Sequence, residues 1–234
     1  MPKLGQLSLD SARKPTGRGG WRPGAGRPRK PGAVSHAQRP SFPARFPQHV
    51  TLRLGPASPS IARAWLMAKV LRPAIGASHK EGFRVVEFNV LSNHVHLIVE
   101  ADGEVALARG VQGLAIRIAR RTNSALKRRG KLFGQRYHAR QLRTAAQVRF
   151  ALRYVLLNRK HHASGHGALR RFFRGWIDPF SSGVWFRGWA EPLPTNTTTR
   201  GLLHVPAPTA KPHTWLLRTG WRRAGPLSYD DQPA

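Results

Sequence analysis

Between residues 48 and 160 the hydrophobic pattern switches repeatedly between a period of two and a period near 3.6, and the switches predict the elements. His49-Val50-Thr51-Leu52-Arg53-Leu54 is apolar at Val50, Leu52 and Leu54, the pattern of a half-buried strand. Gly55 to Pro59 breaks it, and Ser60 is a candidate N-cap for a helix with Ile61, Ala64, Trp65, Ala68 and Leu71 at helical spacing. Pro73 and Gly76 are expected to end that helix. Phe83 to Leu91 and His94 to Glu100 read as the second and third strands, with a kink at Ser92-Asn93. After the Asp102-Gly103 turn, Val105, Ala108, Val111, Leu114, Ala115 and Ile118 mark a long second helix ending before Gly130. Phe133 to Leu142 predicts a fourth strand, and Thr144 caps a third helix over roughly Ala145 to Lys160.

The order β-α-β-β-α-β-α is that of an α+β protein, and its first six elements are those of the ferredoxin-like (RRM-like) split βαβ arrangement. That fold packs its helices on one face of an antiparallel sheet and leaves the other face open. The third strand agrees, because Val95, Leu97 and Val99 alternate with His94 and His96, so both histidines look out of the open face.

The flanks differ in composition. Residues 1–47 are rich in Pro, Gly, Arg and Ser and are expected to be disordered when unbound. Within them Gly26-Arg27-Pro28-Arg29-Lys30 resembles the core of an AT-hook, whose basic side chains lie in the DNA minor groove. The same residues also fit a basic tail that touches phosphates without preference. The compact domain is expected over 48–163. An aromatic arm at 164–191, with Trp176, Phe180, Trp185, Phe186 and Trp189, is expected to pack on or near it, and 192–234 to be a mostly disordered basic tail.

Charge narrows the partner. The 234 residues carry 40 Lys+Arg against 10 Asp+Glu, a formal charge of +30, and such a chain repels itself unless it meets a polyanion. Nucleic acid fits best, since most of the charge is arginine, suited to bidentate phosphate contact. A membrane is not expected as partner: no stretch of about 18 apolar residues spans a bilayer and no signal-peptide core is present. With no cysteine there is no disulfide or thiolate zinc site, and a cytoplasmic location is expected.

Candidate chemistry centres on His94-Val95-His96. Two imidazoles projecting from one strand face can share a divalent metal, though two histidines that hydrogen-bond locally also fit the motif, which alone does not decide for a metal. On the third helix Tyr154 and Asn158 are four apart and flank an apolar stripe centred near Val148 and Val155. A tyrosine there is a candidate nucleophile and the asparagine oxygen a candidate third ligand; a half-buried structural tyrosine is the alternative. Tyr137, beside His138, is the rival nucleophile, better suited to packing or stacking a base. His161, His162 and His166 read as a solvated helix end. Arg117, Arg120 and Arg121 on the second helix, and Arg136, Tyr137 and Arg140 near the fourth strand, are the candidate DNA contacts, together with Arg27, Arg29 and Lys30. No P-loop, Ser-His-Asp set or trio of spaced acids is present.

The element order, the His-x-His strand and Tyr154-Val155-Leu156-Leu157-Asn158 about 60 residues later together resemble the single-tyrosine HUH transposases. The resemblance is to the REP-associated tyrosine transposases in particular, through His49-Val50-Thr51-Leu52-Arg53, Phe133-Gly134-Gln135-Arg136-Tyr137-His138-Ala139-Arg140 and Asp178-Pro179-Phe180-Ser181-Ser182. It implies an HUH transposase catalytic domain that cuts and rejoins single-stranded or hairpin DNA (REP-like palindromes) through a 5′-phosphotyrosine. His94, His96 and Asn158 would be ligands of magnesium or manganese and Tyr154 the nucleophile. It further implies a monomer or homodimer, in a bacterial cytoplasm at the nucleoid. Arg159 stands where that subgroup commonly has proline. The competing functions are a domesticated transposase that binds DNA without cutting, and an RNA-binding protein on an RRM-like fold, which would need base-stacking aromatics where His94 and His96 stand.

Overall fold

The computed structural model describes residues 41–159 and 174–231. The first strand, β1 (Gln48–Arg53), is followed by a helical run of α1 (Ala64–Leu66), a π-helical turn (Met67–Leu71) and α2 (Arg72–Gly76). Then come β2 (Phe83–Val90), β3 (His94–Ala101), α3 (Glu104–Ala125), β4 (His138–Gln141) and α4 (Ala145–Leu156). The strands form one antiparallel sheet in the order β2-β3-β1-β4, the ferredoxin-like order.

Alternation along the strands builds a core on the first face. Val50, Leu52, Val95, Leu97 and Val99 meet Leu66, Val70, Leu71 and Ile75 of the first helical run and Leu107, Val111, Leu114 and Ile118 of α3. At Gly110 α3 runs so close to β2 that a Cβ there would overlap the Phe83 ring. A bulge in β2 then shapes the second face. The register moves from Val85↔Val99 to Glu87↔Ile98, so Val86 is the extra residue, and it packs on the side opposite Val85. Val86 and Ile98 there receive Val148, Ala151, Leu152, Val155 and Leu156 of α4. The face carrying the histidines is therefore covered by the third helix over β2 and β3, because the helix's apolar stripe needs a surface to bury.

Several boundaries differ from those the periodicity predicts. The first helix starts at Ala64 with Arg63 as N-cap and no side-chain cap, and it continues through Pro73 to Gly76. Pro73 sits in the first turn of α2, where its missing N–H matters least, directly after the π turn. The fourth strand is only His138–Gln141; Phe133 makes a single bridge to Leu54. Thr144 does cap α4, accepting from Gln147 N at 3.2 Å while Gln147 Oε1 accepts from Arg143 N at 2.7 Å, close to a capping box.

The expectation of a mostly disordered tail from residue 192 does not hold for 192–231. That segment forms α5 (Thr197–Leu203), α6 (Trp215–Arg218) and a 3-10 turn (Gly220–Ala224). Leu216, Leu217, Trp221 and Leu227 bury against α4, and the Glu100 carboxylate accepts from His213 N at 2.9 Å and Thr214 N at 2.7 Å. Apolar burial and two charge-assisted bonds outweigh the Pro-rich composition. Within 174–191, Phe186 and Trp189 pack on the same core. The N-terminal segment 1–40, with Arg27, Arg29 and Lys30, and the patch His161, His162 and His166 lie outside the described residues. Among the described residues no helix is long and apolar enough to cross a membrane.

Glu87 beside the bulge is buried and accepts from Ser182 Oγ. Burial pushes its carboxyl up to about 8, against the opposing effect of the Ser182 bond. A carboxyl whose folded pKa is raised binds its proton more tightly in the folded state. Its contribution is fully present below the unfolded value near 4.5 and is lost as pH rises through about 8. Glu87→Gln is expected to flatten this decline, so that denaturant unfolding at pH 9 shows the variant more stable than the wild type by a few kcal/mol, with the gap narrowing towards pH 5. An equal difference at both pH values would contradict the buried neutral carboxyl.

Candidate active site

The antiparallel register lines up polar side chains in rows across the second face. Asn89, His96, Thr51 and His138 are cross-strand neighbours on β2, β3, β1 and β4. One row above, His94 pairs with Arg53; one row below, His49 pairs with Arg140. Helix α4 stands over these rows and leaves a cleft of about 940 Å³, walled by His49, Thr51, Arg53, His94, His96, His138 and Arg140 from the sheet. The helix contributes Ala146, Gln147, Phe150, Ala151 and Tyr154.

Within the cleft the rings of His94 and His96 are 4.5 Å apart between centroids. His94 Nδ1 is 2.5 Å from Asn93 Oδ1, which only accepts; in the neutral ring, donation from Nδ1 to that oxygen leaves the lone pair on Nε2. His96 Nδ1 lies 3.1 Å from His49 Nε2 and 3.2 Å from Thr51 Oγ1. Holding an imidazole by its second nitrogen is how proteins aim a metal-binding ring. The Tyr154 ring stands edge-on, 5.1 Å from His96 and 5.8 Å from His49. Burial, then the nearby His138 and Arg140, lowers the His49 pKa to about 4, so that ring is neutral at neutral pH.

Behind the cleft a buried polar cluster holds the C-terminal turn of α4. Asn89 Nδ2 donates to the Val155 carbonyl at 2.9 Å and to Asp178 Oδ2 at 3.1 Å. Asp178 also accepts from Phe180 N at 2.9 Å and pairs with Arg159 Nε at 3.2 Å. Burial raises the Asp178 carboxyl above its ordinary value, and Arg159, the Phe180 N–H and the Asn89 amide oppose that rise.

Of the residues singled out from the sequence, His94, His96, Tyr154 and Arg140 come together in this cleft. Asn158 is not among the residues that wall the cleft. Leu157 interrupts α4 after Leu156, and Asn158 directly follows that turn, where the backbone is helical again. It is fully buried, and neither amide atom makes a hydrogen bond among the described residues. Tyr137 packs against the core of the opposite face, away from the cleft. Arg117, Arg120 and Arg121 lie on α3, which also covers that opposite face; Arg136 is exposed just before β4. The sequence reading missed His49, Arg53 and His138 as site residues. Their signal lies in strand pairing, which sets Arg53 opposite His94, His138 opposite Thr51, and His49 on the same face one row from His96.

The residues present fit a divalent ion in part. His94 and His96 offer two oriented imidazoles, and the buried, unbonded Asn158 Oδ1 is an oxygen donor without a protein partner among the described residues. No group of three or more His, Cys, Asp or Glu side chains among the described residues forms a ready metal site.

Residues 62–157 match a family model described as IS200-like transposase. The matched span holds His94, His96 and Tyr154 and ends one residue before Asn158. A solved REP-associated tyrosine transposase, bound to a REP hairpin, is similar at 17% identity with a TM-score of 0.48, covering 70% of this chain and 96% of that one. No curated protein matches the chain.

Asp178→Ala removes the buried carboxyl of a pair whose Arg159 is 31% exposed, and takes one partner from the Asn89 amide. It is expected to lower the unfolding free energy by roughly 1–3 kcal/mol in denaturant titration. A loss under about 1 kcal/mol, the range of an exposed pair, would contradict the clamp.

Proposed function

We propose that this chain is a DNA strand transferase acting through Tyr154, a reading supported by the match of residues 62–157 to the IS200-like transposase model. The observation that carries the reading is the Tyr154 ring edge-on to His96 at 5.1 Å, in a cleft that also holds Arg53 and Arg140. A phosphodiester drawn in by the two guanidinium groups would lie between the tyrosine and the histidine pair.

In the proposed reaction the Tyr154 oxygen loses its proton and attacks the phosphorus. The bond to the 3′-oxygen breaks, and that oxygen leaves as a hydroxyl. The product is a 5′-phosphotyrosine, which keeps the energy of the broken bond, so a 3′-hydroxyl can attack it later, restore a phosphodiester and release the tyrosine. No nucleotide cofactor is consumed. His94 and His96 would hold a divalent ion, magnesium or manganese, which when bound draws charge from a non-bridging phosphate oxygen. Thr51 and His49 orient the His96 ring by its Nδ1, and Asn93 orients His94. Asn158 is the remaining ligand in this proposal, supported by its buried amide oxygen, which has no hydrogen-bond partner among the described residues.

The partner is proposed to be single-stranded or hairpin DNA, supported by the +30 charge and the family. Arg53 and Arg140 would contact the reacting strand. Arg117, Arg120 and Arg121, on the far side of the sheet, would meet a distal part of a longer DNA, and Arg136 its approach to β4. Action at a bacterial nucleoid, as monomer or homodimer, belongs to the same reading.

With manganese and a hairpin oligonucleotide bearing single-stranded flanks, the wild type is expected to form a covalent adduct that survives denaturing electrophoresis. Tyr154→Phe should bind the hairpin as well and form none. An adduct that persists in the Phe variant would sink the assignment, and its absence from the wild type would favour a domesticated protein that binds without cutting. In a salt titration the slope of log affinity against log salt should shrink by about 0.7 for Arg53→Ala and again for Arg140→Ala. An unchanged slope would remove those residues from the phosphate path.

A further inference from the structure

Phe150 is the one large apolar side chain that α4 leaves in the open among the described residues. Its stripe of Val148, Ala151, Leu152, Val155 and Leu156 is buried, whereas Phe150 is 52% exposed and belongs to no core cluster. It lines the cleft one helical turn before Tyr154, and the two rings are nearly parallel, at 10° with centroids 6.4 Å apart. An (i, i+4) aromatic pair on a helix surface is worth only a few tenths of a kcal/mol. That gain does not require Phe150 to show half its surface to water in a cleft whose sheet side carries two guanidinium and four imidazole groups.

The combination of an exposed aromatic face with Arg53 and Arg140 across the cleft is the chemistry that holds single-stranded nucleic acid, cations for the backbone and a ring for the base. We propose that Phe150 is a stacking platform for an unpaired nucleobase next to the phosphate that Tyr154 attacks. This rests on the strand-transferase reading and deepens it, by naming the side chain that sets where along the strand the cut falls. A base seated on Phe150 continues the stack whose next ring is Tyr154, so the adjoining phosphate is carried to the tyrosine oxygen. Stacking tolerates any base, so Phe150 fixes the position of the strand and not its sequence.

The test uses the full chain and hairpins with 2-aminopurine placed at successive positions of the unpaired flanks. At one flank position the wild type should quench the probe on binding. Phe150→Ala should abolish that quench and raise the KM of adduct formation about 5- to 150-fold, the range for loss of one stacked base. Phe150→Trp should restore both. The side chain is exposed, so the Ala variant keeps the fold, which hairpin affinity through the remaining contacts verifies. No quench at any flank position, or a quench unchanged in Phe150→Ala, overturns the proposal. So does a Phe150→Ala protein whose only change is a smaller sedimenting mass, which would make the ring a contact between two copies. Quenching reads binding alone, so a wild type that quenches but forms no adduct defeats the strand-transferase reading and leaves the platform standing.

Discussion

One buried amide carries much of this architecture. Asn89 donates to the Val155 carbonyl and to Asp178, and so ties the last turn of α4 to β2. It is also the cross-strand neighbour of His96. The residue that sets the height of the helix therefore sits in the same row as one of the two cleft histidines, and Tyr154, one residue before Val155, is held over that row. A polar contact made inside the sheet–helix interface cannot trade with water, so losing it leaves unpaired groups in low dielectric and is felt in full. Helix position and ligand row are in this way one mechanical unit.

The bulge in β2 serves the same unit. By adding Val86 to the second face it supplies the apolar surface on which α4 packs, and Glu87 beside it takes the Ser182 hydroxyl of the segment that carries Asp178. The C-terminal residues finish the arrangement from outside, with Trp221 and Leu217 closing on α4 and Glu100 gripping the backbone at His213 and Thr214. What remains open is the half of the face over β1 and β4, which is where the cleft and its arginines lie.

The parts legible in the sequence are those with a local period. Val95, Leu97 and Val99 against His94 and His96 announce the two faces of β3 directly, and the stripe around Val148 and Val155 announces α4. His49 and Arg53 were not legible as site residues, because what brings them to the histidines is a register between strands more than 40 residues apart. The break in α4 was not legible either: no Gly or Pro marks the turn at Leu157, so helical spacing runs on without interruption through Asn158. The C-terminal helices escaped because Leu216, Leu217, Trp221 and Leu227 follow no single period among prolines and arginines, and only the surface of α4 shows what they cover.

In the proposed reaction Tyr154, and no other side chain, takes the phosphate. Trypsin cuts after Arg153 and Arg159, and after Arg136 and Arg140, so Tyr154 and the rival Tyr137 fall in different peptides. Mass spectrometry of a trypsin- and nuclease-treated reaction with the hairpin reads which peptide gains a nucleotide. The nucleotide mass is expected on Tyr154-Val155-Leu156-Leu157-Asn158-Arg159. Finding it on the peptide that begins at Tyr137, or on neither, would contradict the Tyr154 assignment.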